Sequence, residues 1–299
     1  MCRKPLLKTK NLITPIIIGS TPAAYNSGLH VVSERNLIDK LETILALHLD
    51  KIIIFGMPKI HDLSGSQAWN KKGIVHTTLK TIKENFDNRF QIIADVCICQ
   101  YNLSGHCGIL NQNNYVENDK TLKLMSKIAL SYAEAGADII APSSMMDGLV
   151  LSIRKKLDYN AFRDTKIMSF SKQFSDLYTP FRLTTFKKSS KIDKAAYQIG
   201  YSNSREILKK IELDLLEGAD IITIKPSLGN LDLVNRVFST FKCKIAVHHV
   251  SGEYTMLKAA SRIGLLDEYE WVLGYFACMI RAGADLIISY SAEEVAALL

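Results

Sequence analysis

The sequence predicts an α/β fold of the (β/α)8 TIM barrel class, and three observations point there. First, one segment recurs three times. The copies are Glu134-Ala135-Gly136-Ala137-Asp138-Ile139-Ile140-Ala141-Pro142, Glu217-Gly218-Ala219-Asp220-Ile221-Ile222-Thr223-Ile224-Lys225-Pro226, and Arg281-Ala282-Gly283-Ala284-Asp285-Leu286-Ile287-Ile288-Ser289-Tyr290. Each reads as a helix end, a capping glycine and a short buried strand. Second, apolar runs at 15–18, 51–55, 91–96, 166–170 and 244–250 bring the strand candidates to eight. Third, 299 residues are enough for eight strand–helix units, since such barrels take roughly 250 residues. A doubly wound open sheet is the competing arrangement. It usually carries a Gly-rich phosphate turn after its first strand, and Gly19-Ser20-Thr21-Pro22 is not one.

The elements follow in order. Residues 1–12 are expected as a short N-terminal arm, and 13–299 as one catalytic barrel. The strands at 15–18, 51–55 and 91–96 are continuous apolar runs, which suits burial on both faces. Helical patterns at 120–132, 204–216 and 268–280 each lead into one copy of the repeat. Between them fall the strands at 166–170 and 244–250. In such a barrel the chemistry gathers at the C-terminal strand ends. The polar residues at those ends are Asp95 and the cysteines that follow it, Lys172, Lys225, Ser251 and Tyr290.

Composition narrows the partners. The net charge is +7, and the basic residues are spread along the chain rather than gathered in an aromatic-interleaved stripe. That disfavours nucleic acid and suits an anionic small molecule. No run approaches ~18 consecutive apolar residues, so no membrane span is expected. The basic start, Met1-Cys2-Arg3-Lys4-Pro5, is not followed by an apolar signal core. These features point to a reducing, cytoplasmic compartment, where clustered cysteines bind metal more readily than they pair.

Three of the six cysteines fall within eleven residues: Cys97, Cys99 and Cys107. Cys97 and Cys99 are two apart, so on an extended backbone their side chains leave the same face. Cys107 returns after a loop containing Gly105. Three protein ligands with an open fourth position is the catalytic form of a zinc site. His106 is an alternative ligand or a neighbouring group. Cys2, Cys243 and Cys278 read as small buried hydrophobes.

Lys225 ends a strand and precedes Pro226. Loss of water at a barrel mouth disfavours an ammonium, and a neutral amine can attack a carbonyl to form a Schiff base. Lys172 lies two residues beyond the 166–170 strand. A second cation in the same mouth favours the neutral amine further. The polar, basic stretch 183–203 follows and reads as an active-site lid. Arg182 beside it suits a bidentate carboxylate contact.

These motifs resemble the porphobilinogen synthase family, also called 5-aminolevulinate dehydratase, from about residue 12 to the C-terminus. The resemblance is carried by 95–99 with Gly105-His106-Cys107-Gly108, by Ala141-Pro142-Ser143-Ser144-Met145-Met146-Asp147-Gly148, and by Met168-Ser169-Phe170-Ser171-Lys172. Pro180-Phe181-Arg182, Ile224-Lys225-Pro226 and Val250-Ser251-Gly252-Glu253-Tyr254 complete it. It implies a barrel lyase that condenses two molecules of 5-aminolevulinate into porphobilinogen for haem and other tetrapyrroles. By motif, Lys225 is the Schiff-base lysine for the first substrate and Lys172 the second active-site lysine. Ser251 and Tyr290 match the groups on the first carboxylate, and Arg182, Lys194 and Gln198 those on the second. Cys97, Cys99 and Cys107 match the ligands of a catalytic zinc, and Asp95 an acid/base or orienting group. The resemblance also implies a homo-oligomer.

Four positions depart from the family pattern. His248 and Phe170 stand where tyrosine is usual, and Lys194 stands where arginine is usual, a point charge in place of a planar fork. Leu215 lies near a glutamate linked in many bacterial members to an allosteric magnesium, so that second metal is not expected. The arm is short, which argues against the family's octamer. Two other readings stay open: a Schiff-base aldolase, which needs one lysine and no zinc, and a zinc-binding barrel without catalysis.

Overall fold

The computed structural model describes residues 7–19, 29–172, 194–200 and 202–299, with the side chains of Ser171 and Lys172 left aside. Arg182 and most of the expected lid lie outside the described residues.

The strands are β1 (Leu12–Gly19), β2 (Val31–Val32), β3 (Lys51–Met57), β4 (Gln91–Val96), β5 (Ile139–Pro142), β6 (Lys166–Lys172), β7 (Ile221–Lys225), β8 (Lys244–His249) and β9 (Leu286–Ser289). From β1 through β3 to β9 each strand pairs in parallel with the next. Leu12 and Ile13 then pair with Ile287 and Ile288, which closes the sheet into an eight-stranded barrel. All eight expected strands are in it. The two-residue β2 is an addition. It pairs with Ile17 and Ile18 at the upper end of β1, and two valines leave no periodic signal in a sequence.

Helices fill the crossovers: α1 (Leu37–Ala46), α2 (Ile74–Phe86), α3 (Asn118–Glu134), α4 (Leu149–Tyr159), α5 (Ser204–Leu216), α6 (Leu231–Thr240), α7 (Ser251–Arg262), α8 (Glu268–Ala282) and α9 (Ala292–Ala296). Among the described residues, no helix is long and apolar enough to cross a membrane.

The continuous apolar strands bury both faces, as expected for a covered parallel sheet. Their outward residues join the helices in one large core that includes Ile52, Ile92, Ile140, Ile222 and Ile287. Their inward residues, among them Ile13, Ile53, Ile93, Met168, Phe170, Ile221 and Ile288, fill the barrel itself.

The threefold repeat has a structural job. Gly136, Gly218 and Gly283 take φ of 108°, 103° and 116°, the left-handed turn that ends a helix and that glycine adopts without strain. The aspartate two residues on then locks the strand to its neighbour. Asp138 donates its N–H to Ile92 O at 2.9 Å and accepts from Ile92 N–H on Oδ2 at 2.8 Å. Asp220 does the same to Ile167 at 2.9 and 2.8 Å, and Asp285 to Ile245 at 2.9 and 2.9 Å. Three carboxylates thus set the register of three strand pairs at the N-terminal rim.

Candidate active site at the barrel mouth

Alternation along the strands decides which residues face the barrel interior. Ile93, Ile221, Ala246 and Ile288 point inward. Residues two or four further on share that face. They are Asp95 and then Cys97 beyond β4, Thr223 and Lys225 on β7, His248 on β8 and Tyr290 just beyond β9. All lie toward the C-terminal ends.

The three expected thiols converge. The sulfurs of Cys97, Cys99 and Cys107 lie within 4.8 Å of one another, and Cys97 Sγ is 3.2 Å from Cys99 Sγ. Among the described residues no other set of three His, Cys, Asp or Glu side chains is placed to hold a metal. Cys97 and Cys107 are buried. The loop between them is pinned from several sides. Gly105 has φ of 69° and donates its N–H to Asn102 Oδ1 at 2.7 Å, while Asn102 Nδ2 donates to His106 O at 2.9 Å. Ser144 Oγ donates to Cys107 O at 3.0 Å.

The electrostatics call for a cation. Hydrogen bonds with Cys107 and Cys99, and burial after them, hold the Cys97 thiol well above its ordinary range. Three thiolates this close cannot coexist without positive charge beside them. A cation lies beside them: Lys194 Nζ donates to Cys107 Sγ at 3.1 Å. Burial works against that ammonium, but the charges of Cys107, Cys99 and Cys97 prevail and raise its pKa. The residue expected on a substrate carboxylate therefore also touches the cysteine cluster. Three soft, converging, buried donors fit one metal ion. His106 is directed elsewhere, with Nδ1 3.2 Å from Tyr197 Oη.

Gln100 links the cluster to Asp95. Cys99 Sγ lies 3.2 Å from Gln100 Oε1, and Gln100 Nε2 donates to Asp95 Oδ2 at 3.0 Å. Asp95 itself is buried.

The lysines end adjacent strands. β6 runs on through Lys172, two residues beyond the expected end, because its pairing with β7 continues: the Cα of Lys172 is opposite that of Lys225. Neighbouring strands lie ~4.8 Å apart, so the two residues share one patch of the mouth. Lys225 Nζ lies 5.5 Å from the centre of the Phe170 ring. His248 meets Phe170 edge-on at 5.9 Å and stacks on Phe55 at 6.2 Å. Phe170 and His248, both departures from the family pattern, thus form an aromatic wall under Lys225.

Ser251 opens α7, and Tyr290 follows β9 with its ring 5.9 Å from that of Tyr254. Burial first, and then the charge of Asp95, keeps the Tyr290 hydroxyl protonated well beyond its ordinary range, so it can donate to an anion. Gln198 is buried, and its N–H bonds to Lys194 O at 2.9 Å. Tyr197, between them, is a residue that sequence reasoning missed. Its Oη accepts from Cys107 N–H at 3.1 Å as well as contacting His106. The hint available was its place beside two candidate residues.

Fold and site together define a (β/α)8 barrel with a cysteine cluster that could hold a metal and with lysines ending two adjacent strands. The chain matches the delta-aminolevulinic acid dehydratase family over residues 1–298 and belongs to it. It is 40% identical to the delta-aminolevulinic acid dehydratase of Archaeoglobus fulgidus over 307 aligned positions, covering 99% of this chain and 93% of that one. Identity to the Helicobacter pylori enzyme is also 40%, covering 100% and 94%. A solved structure of delta-aminolevulinic acid dehydratase from Toxoplasma gondii, in complex with the product porphobilinogen, superimposes with a TM-score of 0.94 at 32% identity. It covers 100% of this chain and 87% of that one.

Proposed function

We propose that the chain condenses two molecules of 5-aminolevulinate into porphobilinogen, a lyase reaction that releases two waters. Family membership supports the activity. The observation that carries the residue assignment is the pairing of Lys172 with Lys225, in the mouth where three thiols converge.

In this reading Lys225, as a free amine, attacks the C4 ketone of the first substrate. The ketone oxygen leaves as water and a C=N bond remains, a better electron sink than the parent carbonyl. Ser251 and Tyr290 hold that substrate's carboxylate, with Tyr290 donating its retained proton. His248 lines the wall beside it. Lys172 receives the second substrate, and Arg182, Lys194 and Gln198 take its carboxylate from the lid, 183–203. Asp95, oriented by Gln100, moves protons at the reacting carbons. Holding two small flexible molecules together supplies roughly 7–11 kcal/mol in favourable intramolecular cases.

Cys97, Cys99 and Cys107 hold the metal, and we take it to be zinc, because thiolates suit a borderline-soft ion. Bound zinc supplies Lewis-acid polarisation of a substrate carbonyl. A reducing cytoplasm suits three free thiols. A homo-oligomer, with two 5-aminolevulinate per site and neither nucleic acid nor membrane as partner, completes the reading.

Borohydride reduction in the presence of 5-aminolevulinate tests it. The expected result is substrate mass on the peptide carrying Lys225. Folded, zinc-loaded protein without an adduct overturns the assignment. Pyrrole formation should stop with a chelator and return with zinc. Turnover indifferent to the chelator rejects the zinc role and leaves the imine reading standing.

A further inference from the structure

Glu253 lies near the start of α7, two residues beyond Ser251, and is 3% exposed. A buried carboxylate is costly unless hydrogen-bonded, and this one is saturated with donors. Its Oε2 accepts from Val250 N–H at 2.8 Å, from Ser227 Oγ at 2.8 Å and from Ser227 N–H at 3.4 Å. Its Oε1 accepts from Leu228 N–H. Tyr275 of α8 donates its hydroxyl to Ser227 Oγ at 3.1 Å, and Asn230 Nδ2 donates to Pro226 O at 2.8 Å.

Among the described residues none of the donors to Glu253 is a charged side chain, and none forms an ion pair with it. What they share is position. Ser227 and Leu228 belong to the loop that follows Lys225, two and three residues on, and Val250 is the residue before Ser251. One carboxylate therefore joins the end of β7 to the end of β8, at the two points that carry the amine and the hydroxyl.

We propose that Glu253 is a positioning residue that fixes the span between the Lys225 amine and Ser251, and so gauges the length of the oxo acid held between them. This rests on the reading that Lys225 takes the ketone and Ser251 the carboxylate. In 5-aminolevulinate those two carbons are separated by two methylenes. A glutamine cannot replace the clamp, because its amide nitrogen presents hydrogens to backbone N–H groups where an acceptor is needed. A displacement of ~1 Å at a reacting pair can cost on the order of a hundredfold in rate.

The test measures borohydride trapping at Lys225 in the full-length, zinc-loaded protein. Three reagents are compared: 4-oxopentanoate, with the native spacing; 5-oxohexanoate, one methylene longer; and 2-pentanone, which has no carboxylate. In Glu253→Gln the trapping rate for 4-oxopentanoate should fall about tenfold, while that for 2-pentanone stays within about twofold. The preference for the shorter acid over the longer should shrink by a similar factor. A parallel fall for all three reagents, or no change, overturns the proposal, since a merely structural residue gives one of those patterns. If Glu253→Gln does not fold, Ser227→Ala decides, because it removes one link and leaves the backbone donors in place. A preference ratio unchanged in that variant also overturns the proposal. Failure of the underlying reading looks different: the wild-type protein then gives no adduct at Lys225 with 5-aminolevulinate.

Discussion

The two ends of the barrel use the same side chain for opposite purposes. At the N-terminal rim, Asp138, Asp220 and Asp285 each take a backbone N–H of the neighbouring strand and return their own to its carbonyl. Their bonding is spent inside the fold. At the C-terminal mouth, Asp95 receives one amide hydrogen from Gln100 and lies near crowded thiols and a protonated tyrosine. The rim carboxylates are spent on strand register, while the mouth gathers three crowded thiols, a buried carboxylate and the Lys194 ammonium in one place. A barrel separates stability from chemistry by end, and here the separation can be read from where each carboxylate's partners lie.

The largest expected effect is at the mouth. Lys225→Met should abolish the borohydride adduct and lower pyrrole formation by at least about a thousandfold, or ~4 kcal/mol of barrier at ~1.4 kcal/mol per tenfold. Its melting temperature should stay near that of the wild type. A variant that keeps a tenth of the activity would break the assignment of this end to the chemistry.

Removing one thiol comes next. Cys99→Ala should lose bound zinc, read by elemental analysis after gel filtration. Turnover should fall on the order of a hundredfold, because metal catalysis supplies several kcal/mol of charge stabilisation. Circular dichroism should remain unchanged, since the fold does not hang on the cluster. Full zinc occupancy in this variant would mean that other residues ligate the metal.

At the rim the pattern should invert. Asp220→Ala leaves the Ile167 N–H without its acceptor, at a cost of about 1–2 kcal/mol. Urea unfolding should register that loss, while kcat and KM stay within about twofold of wild type. A large loss of turnover in Asp220→Ala would show that the two ends are coupled through β7, which carries Asp220 just before it and Lys225 at its end.

The sequence made much of this legible for a physical reason. Parallel strands buried on both faces are unbroken apolar runs, so all eight barrel strands stood out, and the helix-ending glycines marked three of the crossovers. The cysteine cluster was legible because its members are close in the chain. Groups that act across the fold were not. Tyr197 meets Cys107 from 90 residues away, and Glu253 reaches Ser227 across 26. The repeat itself was plain, yet nothing in the sequence said that its aspartates bind the neighbouring strand. Lys194 was expected on a carboxylate, and its contact with Cys107 depends on a tertiary approach that no local pattern encodes.

The smallest expected effect separates burial from reactivity within the outer layer of the mouth. His249 is wholly buried, with Nδ1 2.9 Å from Ser289 Oγ and its ring packed against Tyr275 and Phe276. Burial pushes its pKa down from 6.5 to about 3. His76 on α2 is held down to about 4, by burial first and then by Lys80 and Lys71. In both cases the folded value lies below the unfolded one, so the unfolded chain binds more protons across that interval. Stability from these groups is complete above about pH 6.5 and is lost as pH falls toward 4. Each contributes a slope of at most ~1.4 kcal/mol per pH unit, over a shorter interval for His76, whose folded value of about 4 lies closer to the unfolded one. His249→Asn keeps a partner for Ser289 without a titrating ring. It should flatten the fall in urea midpoint between pH 6.5 and 4.5 by roughly half, the share of one of two such histidines. Parallel curves for variant and wild type would place the acid sensitivity elsewhere.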